Sequence, residues 1–160
     1  MENNLFNLSG KIALVTGGAG LLATEHAIAL SSYGAKVILA DFNYDKCVEA
    51  ASALAQNNVS AIAKYCDVTS KESWQKLLKE IIDEYKTIDI LINNAGLASG
   101  KSKIQEGLLT DWDKMIDTNI KGLLYITRAI LPMMIQENRG HIINIGSTAG
   151  HLVYPEGNVY

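Results

Sequence analysis

The sequence predicts an α/β fold, a doubly wound parallel sheet with helices on both faces. Three observations point to it. Short apolar runs alternate with longer amphipathic stretches along the whole chain. Strands and helices in that alternation join through right-handed crossovers into a parallel sheet. The first apolar run passes directly into a glycine cluster that opens a helix. The composition is that of an ordinary globular chain, 48% apolar and 19% charged. At 160 residues the chain suits one domain and is short for two. A domain of this size buries roughly 70% of the surface its unfolded chain exposes, so it can build a core.

Each element follows from a local signal. Residues 11–16 (KIALVT) form a compact apolar run that ends in glycines, the mark of a buried strand. Residues 24–33 read as a helix with Ala23, Ala27 and Leu30 on one face, stopped by Gly34. Residues 36–41 (KVILAD) are a second strand. Cys47, Val48, Ala51, Leu54 and Ala55 recur at helical spacing over residues 45–56. Residues 60–65 alternate weakly as a third strand. Thr69 to Glu72 have the spacing of a capping box. After it, Trp74, Leu77, Leu78, Ile81, Ile82 and Tyr85 give the clearest helix in the chain. Residues 88–92 (IDILI) are a fourth strand, followed by a loop over 97–109. Thr110 is placed to cap the next helix. Its expected buried stripe is Trp112, Met115, Ile116, Asn119, Leu123, Leu124, Thr127 and Leu131. Residues 141–145 (HIINI) are a fifth strand. No internal repeat and no linker is visible, so residues 1–160 read as a single domain.

Composition excludes several classes. Fourteen Lys and Arg against 17 Asp and Glu leave a net charge of -3, which argues against a nucleic-acid partner. Cys47 and Cys66 make neither a disulfide framework nor a metal-ligand spacing, so reduced thiols in the cytoplasm and no metal are expected. The first residues are acidic and polar, without the basic start of a leader peptide. The most apolar segment, 123–135, is interrupted by Arg128 and Pro132 and is too short to span a bilayer, so no membrane association is expected.

Gly18, Ala19, Gly20, Leu21, Leu22 and Ala23 fit G-x-G-x-x-G/A between a strand and a helix. A tight turn there lets backbone approach a pyrophosphate, and the helix N-terminus supplies N–H groups and partial positive charge. Asp41 ends the second strand, 21 residues after Gly20. A carboxylate there accepts hydrogen bonds from ribose hydroxyls and repels a 2′-phosphate. Phe42 follows, so no arginine waits for that phosphate. NAD is therefore expected in preference to NADP.

Five further signatures stand in order along the chain. They are Thr16-Gly17, Asp67-Val68, Asn93-Asn94-Ala95-Gly96, Asn119, and Ser147 with Tyr160 thirteen residues beyond it. In this combination the chain resembles the short-chain dehydrogenase/reductase family along essentially its whole length. The resemblance implies a Rossmann fold with strand order 3-2-1-4-5 and the cofactor across the C-terminal strand ends. It places Asp67 at the adenine amino group, Val68 beside the ring, and Asn94, Ala95 and Gly96 along the cofactor together with Gly17. It makes Ser147, Tyr160 and Asn119 the reactive centre. The phenol of Tyr160 exchanges the proton of the substrate hydroxyl, Ser147 orients the substrate oxygen, and Asn119 holds a relay water. A phenol has a pKa near 10, so acting as a base at pH 7 needs a shift of about 3 units, or roughly 4 kcal/mol. The family supplies that shift with a lysine one helical turn after the tyrosine. Family members pair through the long helix, so a homo-oligomer is expected.

The chain departs from the family pattern in two places. Thr16-Gly17-x-x-Gly20-x-x-Ala23 is spaced like the branch containing nucleotide-sugar epimerases and dehydratases, and Leu21 puts bulk near the phosphates. The sequence also stops at Tyr160, ahead of the lysine and of the family's last strands. The chain is therefore read as the N-terminal piece of a longer protein, inactive and poorly soluble by itself. Residues 151–159 contribute a partly apolar wall beside the tyrosine. The leading expectation is an NAD-dependent oxidoreductase interconverting a secondary alcohol and a ketone, a sugar-type substrate included. A nucleotide-sugar epimerase or dehydratase, and a nucleotide-binding protein without catalysis, stay open beside it.

Overall fold

The computed structural model describes residues 6–152, 155–157 and 159–160. The residues read for a leader, and Val153, Tyr154 and Asn158 of the expected wall, lie outside the described residues. Apolar runs rich in branched side chains become β1 (Ile12–Thr16), β2 (Lys36–Asp41), β3 (Ala61–Tyr65), β4 (Ile90–Asn93) and β5 (His141–Asn144). All pair in parallel, in the order β3-β2-β1-β4-β5. Leu14 at the centre lies opposite Ile38 on one side and Leu91 on the other. This is the expected Rossmann topology. The winding reverses between β1 and β4, which opens a crevice at their C-terminal ends.

Alternate residues of each strand feed two cores. Leu14, Ile38 and Leu91 pack with Leu77, Ile81, Ile126 and Ile130 on one face. Val15, Leu39 and Ile92 pack with Ala23, Ala27, Ala51 and Leu54 on the other. The first face is covered by α3 (Lys71–Tyr85) and α5 (Leu123–Gln136), the second by α1 (Leu21–Ser32) and α2 (Tyr44–Gln56). The helix α4 (Leu109–Met115) leads through a π-helical segment, Ile116–Gly122, into α5.

Helix starts differ from their sequence reading. The helix α1 begins at Leu21, directly after the loop, with Gly20 as its N-cap and no side-chain cap. Ser70, not Thr69, caps α3, accepting from Ser73 N at 3.3 Å. The Thr69 hydroxyl instead donates to Asp67 Oδ1 at 2.7 Å. Thr110 lies inside α4, whose N-cap is Leu108. The buried stripe of the long helix is also corrected. Met115, Gly122, Ile126, Ile130 and Met134 are buried, whereas Ile116, Leu124 and Leu131 are exposed. The wider π turn breaks the α-helical phase, so a stripe extended from Trp112 at constant period does not carry through.

At the other end of the sheet, Asp89 is 6% exposed and holds three groups together. Its Oδ2 accepts from Ile12 N at 3.0 Å, and its Oδ1 meets Lys11 Nζ at 3.2 Å and Arg139 Nε at 3.5 Å. Asp89→Ala leaves the buried Ile12 N–H without this partner and separates both cations from their anion. It is expected to cost about 2–4 kcal/mol in a denaturant titration; a loss below 0.5 kcal/mol would contradict this reading.

The two cysteines are free and buried, one in each core. Burial, with a smaller contribution from the Asp41 charge, pushes the Cys47 thiol up from 9.0 to about 11. Burial likewise raises Cys66 to about 12, against the lowering effect of the Ser73 hydroxyl. Folding therefore holds both protons more tightly than the unfolded chain does. That stability is fully present below pH 9 and is lost as pH rises toward 11 and 12. Alkaline melts are expected to fall over that window, and Cys47→Ala with Cys66→Ala should flatten the slope. Among the described residues no His, Cys, Asp and Glu group could hold a metal. No described helix is long and apolar enough to cross a membrane.

Candidate functional site

The site is built where β1 and β4 end. Gly17 turns the chain with φ +67°, and a Cβ there would lie 2.9 Å from Ala95 Cα. A Cβ on Gly18 would lie 2.8 Å from Ala40 N. Both positions therefore exclude a side chain, and loop backbone presses against β4's exit on one side and β2 on the other. Thr16 Oγ1, beneath this contact, accepts from Asn94 N and Ala95 N, both at 3.1 Å. The Asn94 side chain donates back to Thr16 O at 2.9 Å and Gly17 O at 3.2 Å. The asparagine thus ties backbone groups where the ladder ends. The threonine hydroxyl as the reciprocal hub was not singled out from the sequence; its signal was its place between strand and glycine.

Two cavities adjoin over this hub. One, of about 330 Å³, is lined by Gly17, Gly20, Leu21, Asp41, Asp67 and Val68. The other, of about 490 Å³, is lined by Asn119, Ser147 and Tyr160 together with apolar side chains of the long helix. Leu22, Asn94, Ala95 and Gly96 line both. The fold thus gathers the expected adenosine-side residues in one cavity and the expected reactive residues in the next. Gly18 supports the loop from beneath, its N–H donating to Ala40 O at 3.0 Å. Leu21 turns its bulk to solvent and is 91% exposed.

The first turn of α1, without a side-chain cap, opens from the glycine loop beside the smaller cavity. Uncapped N–H groups beside a cradle too tight for any Cβ suit a pyrophosphate. The residues present fit a dinucleotide. Asp67 accepts from Thr69 N at 2.9 Å through Oδ1, and Val68 is buried in the cavity wall.

Three side chains have roles that spacing alone did not show. Asp41 is 7% exposed. Its Oδ2 accepts from Ala19 N at 3.0 Å and its Oδ1 from Asn43 N at 2.8 Å, so it fastens the glycine loop to the turn after β2. Asn119 was expected to hold a water. Its amide binds the backbone of Leu97 twice, accepting from N and donating to O, both at 2.8 Å. It anchors the start of the loop after β4. Ser147 is exposed and its Oγ accepts from Ala149 N at 3.1 Å, which leaves its own O–H for a ligand. Tyr160 is 43% exposed at the cavity wall.

The family model for short chain dehydrogenase matches residues 11–160. The chain belongs to the short-chain dehydrogenase/reductase family. This member of the family is 43% identical over 152 residues to the NADP-dependent 3-hydroxy acid dehydrogenase YdfG of Escherichia coli strain K12. The match covers 93% of the chain and 59% of that relative, so the chain spans well under two thirds of the relative's length. Among solved structures, serine dehydrogenase from Escherichia coli superposes with a TM-score of 0.84 at 41% identity, over 93% of this chain and 68% of that one. A metagenomic short-chain oxidoreductase in complex with NADP gives a TM-score of 0.88 at 30% identity, over 96% and 69%.

These relatives correct the expected preference for NAD over NADP, since a named relative is NADP-dependent and a structural neighbour holds NADP. The physical reason lies in Asp41. The expectation needed a carboxylate free to bind ribose hydroxyls and repel phosphate. Each oxygen already accepts one backbone N–H, a structural task that uses the carboxylate without any ligand, so its place at the strand end does not by itself select NAD.

Proposed function

We propose that the protein is an oxidoreductase that uses a nicotinamide dinucleotide to interconvert an alcohol and its carbonyl, with 3-hydroxy acids as the substrate class. One observation carries the reading. A cradle suited to a dinucleotide runs without a break, through Leu22, Asn94, Ala95 and Gly96, into a cavity walled by Ser147 and Tyr160. The substrate class rests on the names of two relatives, a 3-hydroxy acid dehydrogenase and a serine dehydrogenase, serine being itself a 3-hydroxy acid.

A nicotinamide dinucleotide held in this cradle would supply or accept the hydride. This chain's residues handle the rest. Thr16, Gly17 and Asn94 hold the cradle's shape, and the first turn of α1 binds the phosphates. Ser147 donates its O–H to the substrate oxygen. In the oxidative direction Tyr160 takes the hydroxyl proton while the substrate C–H leaves with its electron pair, and the C–O bond becomes a carbonyl. In the reductive direction the phenol returns that proton. Asn119, through Leu97, holds the loop that borders the site.

The test uses the protein at its natural length. Serine and simple 3-hydroxy acids are offered with oxidised NAD and, separately, NADP, and reduced nicotinamide is followed by absorbance. Turnover on a 3-hydroxy acid is expected. Binding of neither dinucleotide would overturn the reading, and turnover confined to other alcohols would overturn the substrate class.

A further inference from the structure

The amide of Asn93, at the end of β4, is 4% exposed and lines the larger cavity. Its Nδ2 donates in two directions, to Thr127 Oγ1 at 2.9 Å and to Asn144 Oδ1 at 2.8 Å. Thr127 stands on α5, eight residues beyond Asn119 on the same continuous helix. Asn144 ends β5, three residues before Ser147. Asn93 and Asn144 are also ladder partners, and Ile145 N donates to Asn93 O at 3.0 Å. One amide thus joins the helix that carries Asn119 to the strand end that carries Ser147.

The arrangement is a poor device for stability. Asn93 Oδ1 is buried with no hydrogen-bond partner among the described residues. An unpaired buried acceptor is costly, and three apolar groups of the same shape would avoid that cost. Hydrogen bonds do what apolar contacts do not: they set distance and angle between the two elements. A misplacement of about 1 Å at reacting groups lowers rates about a hundredfold, so geometry is worth fixing here.

Resting on the function proposed above, we infer that Asn93, Thr127 and Asn144 are a positioning network that sets Ser147 relative to the long helix for the reaction. Thr127 is the member to change, because it lies outside both cavity walls. In the natural-length protein, Thr127→Val removes the hydroxyl and keeps the shape. Two measurements are made, steady-state kinetics and amide hydrogen exchange over residues 145–149. The expected result is a kcat about tenfold lower with an unchanged KM for the dinucleotide, and exchange over 145–149 about tenfold faster. Thr127→Ser, which restores the hydroxyl, should return both. Unchanged kcat, whatever the melting temperature does, overturns the positioning role. Unchanged exchange overturns the coupling itself. A wild-type protein inert toward alcohols defeats the proposed function and the positioning role with it. Exchange that quickens in the Val variant and recovers in the Ser variant then still supports the coupling.

Discussion

Tyr160→Phe is expected to lower turnover by about a thousandfold and to leave dinucleotide affinity within about twofold. The change deletes one oxygen and keeps the ring in the wall it shares with Ser147. General acid–base groups contribute about 10²–10⁴ in rate, and no other side chain named at this cavity wall can replace a phenol as proton carrier. Ser147 Oγ accepts from Ala149 N, and the Asn119 amide is bound to Leu97. Tyr160 is not among the residues lining the smaller cavity, where the adenosine end of the dinucleotide is expected. Kinetics with a 3-hydroxy acid and a fluorescence titration with reduced dinucleotide measure the two quantities separately. A variant within tenfold of wild type would remove Tyr160 from the proton transfer. A parallel loss of dinucleotide binding would show that the ring is structural.

Gly17→Ala is expected to abolish measurable dinucleotide binding and to destabilise the fold by about 2–5 kcal/mol. Two effects add. The backbone at φ +67° is left-handed, which costs a residue with a Cβ about 1–2 kcal/mol. The new Cβ would also stand 2.9 Å from Ala95 Cα, a backbone atom that Thr16 and Asn94 hold in place. Relief requires moving the loop away from the exit of β4, and overpacking of that kind costs about 1–3 kcal/mol. The same movement opens the junction between the cavities. Gly146→Ala is the control, since a Cβ there meets nothing within 4 Å, and its stability should stay within about 0.5 kcal/mol. Equal denaturation midpoints for Gly17→Ala and Gly146→Ala would refute the close contact.

Much of the candidate site was legible before folding because its signals are steric and local. Gly17 and Gly18 sit where a strand must turn tightly into a helix, and Ala95 and Gly96 follow a second strand that ends at the same rim. Parallel order then brings Asp67, Val68, Ser147 and Tyr160 to that rim. The roles of polar side chains were less legible. Asp41 and Asn119 carry groups that bind a ligand or a loop equally well, and spacing does not distinguish the two. Each finds its partner 22 positions away, at Ala19 and Leu97. For Asp41 the NADP-linked relatives therefore overrule a preference for NAD read from its position.

Residue order is enough to specify the five strands, the helices between them, the glycine turn and the succession in which the site residues reach the sheet's rim. Those follow from periodicity and backbone sterics among near neighbours. Which oxygen faces which donor, and which face of the long helix is buried, depends on the assembled fold. Asn94 meets Thr16 across 78 positions, and the Asn93 amide joins Thr127 and Asn144 across 34 and 51. A hydrogen bond needs its partner within about 3 Å, and that separation exists only once the sheet has assembled.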